Sequence, residues 1–184
     1  DLLGDVTIDQ NIEISNRGDN DKDLAIGFNA LPETTYLYRS SIGIGYQAGE
    51  SLISGSCNLY IGIQAGTCAV KTKQSVAIGH GALKFNEGLD TGQTTNCSGN
   101  TAIGHQVLNL SDKGYFNVGV GYRALYSSTS GFSNTSLGYE SGYSGDGNFA
   151  VFVGLQAAGD KNKWGRDVMV GSFAGKENVG SQNV

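Results

Sequence analysis

The chain is poor in several residues that most folds use freely. Of its 184 residues, one is proline, one methionine, one tryptophan and three are cysteine. One proline and no three-residue glycine register exclude collagen. Cys57, Cys68 and Cys97 form no CxxC pair and leave an odd count, which is poor material for a disulfide framework or a zinc site. They are expected as buried or half-buried free thiols, as in a protein assembled in a reducing cytoplasm. Charge is also scarce, at 16% of residues against about 25% in an ordinary domain. The 12 basic residues are outnumbered by 17 acidic ones, which argues against nucleic-acid binding. No apolar run approaches the roughly 20 residues of a membrane span, so membrane insertion is not expected. No signal-peptide pattern opens the sequence at Asp1, which reads as a piece of something longer. Wholesale disorder is not expected, with 39% hydrophobic residues and a net charge of only −5.

Glycine is what the chain has in excess: 29 residues, roughly twice ordinary usage. Many of them are periodic. A polar residue, an aliphatic, a small or variable residue, an aliphatic and then glycine recur in order, as in Asn100-Thr101-Ala102-Ile103-Gly104 and Ser75-Val76-Ala77-Ile78-Gly79. The anchoring glycines are Gly27, Gly45, Gly62, Gly79, Gly104, Gly121, Gly138, Gly154 and Gly171, separated by 18, 17, 17, 25, 17, 17, 16 and 17 residues. An aliphatic residue precedes each one, and a small residue, usually Ala, follows three positions later.

Alternate residues of a strand face one side. Val76, Ile78 and His80 therefore share a face, with Ala77 and Gly79 on the other. So short a strand cannot bury a face alone, but copies stacked about 4.8 Å apart close a continuous core. Glycine after the strand permits a bend or a close backbone approach. The Asn, Asp or Ser that opens most copies is expected to hydrogen-bond nearby backbone in a turn. The rest of each coil reads as a weaker strand plus turns. The fold class is therefore all-β, a narrow parallel β-solenoid of about 17 residues per coil. Each coil offers about two large aliphatic residues and one Ala for burial, little for a free-standing column. Phe28, Tyr46, Tyr122 and Tyr139 follow their glycines and add apolar surface that a lone column would expose. Lateral association of identical columns is the expected remedy.

The Asn-Thr-Ala-Ile-Gly motif, followed two residues later by Ala-Leu or Ala-Gly, resembles the repeats of phage and giant-virus tail-fibre proteins. It is also similar to the heads of trimeric autotransporter adhesins, which are left-handed parallel β-rolls. The resemblance spans about residues 23 to 175. It implies a left-handed β-roll, a homotrimer and a role in host attachment, with a host-cell surface receptor, a glycan among the candidates, as partner.

Residues 1–22 are expected as a capping or linking segment, since Asp5-Val6-Thr7-Ile8-Asp9 is a degenerate copy. Residues 23–184 then form the repeat solenoid. Asn183-Val184 stands where another copy would begin, so the parent chain is expected to continue. Eight surplus residues between Gly79 and Gly104 (25 − 17) predict a loop near 84–99. Such insertions project from one face and can touch partners. Candidate receptor contacts are Lys84, Phe85, Asn86, Asp90 and Thr94 in that loop. Trp164 is added from a charged turn with Lys161, Lys163 and Arg166, where its ring could stack on a sugar.

His80 and His105 occupy the same slot of consecutive coils and should stack. A packing slot is the preferred reading, with a metal at a three-fold axis as the alternative. No catalytic residue, cofactor site or metal site is nominated. GxSxG, HExxH and GxxxxGK[ST] are absent, and Glu140, Asp146 and Asp160 form no evident carboxylate pair. The functional expectation is a non-enzymatic, structural and receptor-binding segment of a trimeric tail fibre, located in the virion. The alternatives are a bacterial adhesin head at the cell surface and, after it, a polysaccharide depolymerase fragment.

Overall fold

The computed structural model describes residues 23–31, 40–52, 55–67, 71–84, 98–111, 113–158 and 163–175. Each repeat supplies one three-residue strand: β1 (Leu24–Ile26), β2 (Ile42–Ile44), β3 (Leu59–Ile61), β4 (Val76–Ile78), β5 (Thr101–Ile103), β6 (Val118–Val120), β7 (Thr135–Leu137), β9 (Val151–Val153) and β11 (Val168–Val170). β8 (Asp146–Asn148) and β10 (Lys163–Gly165) lie on the opposite wall. The nine repeat strands make one parallel sheet in chain order. Register follows the motif, so Ala77 pairs with Tyr60 on one side and Ala102 on the other. The 25-residue spacing does not disturb this, because Ile78 still faces Ile103. The opposite wall pairs β8 with β10 and adds single bridges such as Ser56–Lys73 and Ser127–Ser144. No helix occurs among the described residues. The chain is a parallel β-solenoid with about 17 residues per turn.

Which strand face points inward differs from what burial by size suggests. The middle residue faces the lumen, so Ala25, Tyr60, Ala77, Ala102, Ser136, Phe152 and Met169 are buried. The flanking aliphatics point outward and remain half-buried or exposed. The column's own core is built instead from the Ala three residues after each glycine (Ala48, Ala65, Ala82, Ala124, Ala157) and from Leu31, Leu52, Leu83, Leu108 and Leu125. A 17-residue coil leaves little lumen beyond the strand's middle residue and the small and leucine residues of the turn. The expected pair of buried strand aliphatics per coil is thus corrected to the strand's single middle residue, joined on several rungs by a leucine from the turn.

Three positions in a typical coil adopt left-handed backbone. In the coil of Gly121 they are Phe116 (φ 56°), Arg123 (φ 52°) and Leu125 (φ 50°). Each costs an L-residue roughly 1 kcal/mol. Hydrogen bonds between rungs offset this: Arg123 N–H donates to His105 O at 2.9 Å and Leu125 N–H to Ser141 O at 3.0 Å. The anchoring glycine is needed for two reasons. Gly45 has φ +131°, and a Cβ there would lie 2.6 Å from the carbonyl oxygen of Gly62 on the next rung.

The residue that opens each copy works between coils rather than within a local turn, which corrects the expectation. Asn117 is fully buried. Its Nδ2 donates to Gly131 O at 2.8 Å, and its Oδ1 accepts from Asn134 N at 3.0 Å. Asn58, Asn100 and Asn134 repeat both bonds, forming an internal ladder that satisfies buried backbone groups. Cys57 is also a correction: it is a free thiol but exposed, because it occupies the left-handed corner just before Asn58 (φ 59°) and points outward. Cys68, Cys97 and residues 1–22 lie outside the described residues.

Candidate functional site

The pleat sends slots one and three of each strand outward, and the residue after the anchoring glycine joins them. That face carries Leu24, Ile26 and Phe28 on the first rung and Val151, Val153 and Leu155 near the last, with the equivalents of every rung between. Parallel in-register pairing stacks like on like. Phe28 is 57% exposed and Tyr46 47%, and their rings stack at 5.8 Å between centroids. Tyr122 and Tyr139 continue the column at 5.1 Å. The result is a continuous exposed apolar strip, larger in kind than the scattered hydrophobics of an ordinary surface.

His80 and His105 stack within this strip at 5.1 Å with 19° between ring planes, and His105 stacks on Tyr122 at 5.2 Å. Both are exposed. No cluster of three or more His, Cys, Asp or Glu side chains suited to a metal occurs among the described residues. By stacking, the pair forms part of the aromatic column.

Beside the column runs a polar row in left-handed backbone. Gln64 Nε2 donates to Gln47 Oε1, Arg123 Nε to Gln106 Oε1 and Gln156 Nε2 to Glu140 Oε2, at 2.9, 2.9 and 2.7 Å. Arg123 also lies 5.2 Å from the Tyr122 ring centroid and 5.3 Å from that of Tyr126. Tyr126 stacks on Tyr143 at 5.1 Å in a second column. Partial desolvation, and then the Glu140 carboxylate, raise the Tyr139 phenol above its ordinary range.

Among the loop contacts expected from sequence, Lys84 lies half-buried at the end of its turn. Phe85, Asn86, Asp90 and Thr94 fall outside the described residues. Trp164 is not in a turn but in β10, paired with Gly147 of β8. Arg123 with its tyrosines was missed, although a basic residue alone in a row of Gln, Glu and Asn was a signal in the sequence. No helix among the described residues is long and apolar enough to cross a membrane. Neither a protein family, a curated protein nor a solved structure matches the chain.

Proposed function

We propose that this chain is a rod segment of a homotrimeric viral tail fibre, with the virion as its location and a host-cell surface receptor as its partner. The observation that carries the reading is the unbroken outward apolar strip. A column that worked alone would gain solubility from polar residues at those slots, yet nearly every rung keeps aliphatic or aromatic side chains there. Three copies packed strip to strip would seal this surface and leave the turns outside. The motif resemblance to tail-fibre repeats supports the same assembly.

The mechanism is geometric and needs no catalysis. In-register hydrogen bonding along the column resists bending, so contact sites on three copies are held at fixed spacing. Modest affinities then multiply through effective concentration.

Analytical ultracentrifugation of the purified chain tests the assembly: a trimer is expected, and a stable folded monomer overturns it. The full-length gene tests the role. Virion structural genes as neighbours are expected. A signal peptide with a C-terminal β-barrel anchor in the same gene would assign the rod to a bacterial adhesin instead.

A further inference from the structure

The geometry points to a binding site for a carboxylated sugar at Arg123, walled by Tyr126 and Tyr143 of the second aromatic column. The inference rests on the receptor-binding reading above and names its ligand class.

The guanidinium is preorganised. Its Nε is tied to Gln106 Oε1 at 2.9 Å, and its plane is flanked by the rings of Tyr122 and Tyr126, at 5.2 and 5.3 Å from their centroids. Among the described residues, neither Nη nitrogen has a hydrogen-bond acceptor and no carboxylate pairs with it. Glu140, one rung on, instead accepts from Gln156 Nε2 on the following rung at 2.7 Å. A half-buried, aromatic-flanked arginine with its fork unused is matched to a bidentate oxyanion.

The surroundings select the anion. The hydroxyls of Tyr126 and Tyr143 have no hydrogen-bond partner among the described residues, so phenolic donors and ring edges border the fork. That mixture suits a polyol with apolar C–H faces more than a bare ion. The chain carries a net charge of −5, which disfavours dianions and highly charged polymers. A single carboxylate on a sugar ring matches the single cation.

Titration of the intact protein with the methyl glycosides of N-acetylneuraminic acid and of galacturonic acid, followed by saturation-transfer NMR and calorimetry, tests this. At least one should bind, its methyl ester should not, and added salt should weaken binding. Arg123→Gln should abolish the signal, Arg123→Lys should weaken it by about tenfold because the fork is lost, and Tyr126→Phe should weaken it while leaving circular dichroism unchanged. Failure of both acids to bind overturns the inference, as does equal binding by Arg123→Gln or equally tight inorganic sulfate. If Arg123→Gln instead dissociates the oligomer, the carboxylate belongs to a neighbouring copy and the sugar site is refuted. Oligomer state measured alongside keeps the rod reading separate, since a trimer that ignores both sugars disproves only the site.

Discussion

The ring of Tyr60 occupies the space that Gly66 leaves open: a Cβ on Gly66 would lie 2.6 Å from Tyr60 Cε1, and one on Gly49 would lie 2.7 Å from Cδ2. Phe152 stands in the same relation to Gly142, at 2.8 Å. Where the strand's middle residue is small, as at Ala77 and Ala102, the turn supplies Leu83 and Leu108 instead. Lumen volume is thus shared between two slots of the coil. Gly66→Ala should lose about 1–3 kcal/mol by overpacking. Tyr60→Leu in the same chain should recover part of it, with a coupling of about 1 kcal/mol. Denaturant unfolding of the double-mutant cycle measures this, and strictly additive losses would contradict shared volume.

Asn117 joins two buried backbone groups, Gly131 O and Asn134 N. Asn117→Ala strips both of partners, and each orphaned group costs about 1–3 kcal/mol. A drop of several degrees in Tm is expected. Asn117→Asp should be worse, since a carboxylate cannot donate to Gly131 O and would be charged in the lumen. Thermal melts at neutral pH compare them.

Ile103 and Ala102 are neighbours with opposite fates, one 38% exposed and the other fully buried. In the proposed trimer, Ile103→Lys should leave circular dichroism unchanged while sedimentation shifts from trimer to monomer. Ala102→Leu should instead damage the column itself, by about 1–3 kcal/mol. An Ile103→Lys variant that remains trimeric would remove the apolar strip from the assembly.

Burial pushes the Tyr60 phenol well above its ordinary range, more than its hydrogen bond with Thr72 lowers it. The unfolded chain therefore loses this proton first as pH rises. The contribution is fully present below the unfolded value, about 10, and is lost as pH climbs from there toward the folded value. Tm should fall on the alkaline side of pH 10. Tyr60→Phe should cost about 1 kcal/mol at neutral pH through the lost hydrogen bond, and its alkaline limb should be flatter.

Much of this molecule was legible before any coordinates. Nine aliphatic-glycine signals near a 17-residue spacing specify stacked parallel strands, because only in-register coils place identical slots one above another. The same arithmetic put His80 over His105 and collected the aromatic residues into a column. Alternation also divided each strand into two faces, with Val76, Ile78 and His80 on one and Ala77 on the other.

Local pattern could not say which face was the inside. That depended on closure of the coil, whose narrow lumen admits Ala77 and Leu83 but has no room for Val76 and Ile78 as well. Closure also turned the opening Asn from a local turn former into a brace between rungs, because only stacking brings Gly131 O and Asn134 N within its reach. Arg123 became distinctive in the same way: its partners Gln106, Tyr122 and Tyr126 are gathered by adjacent rungs and a left-handed bend. Sequence sets a residue's place in the period, while the space left by neighbouring coils decides what its side chain can touch.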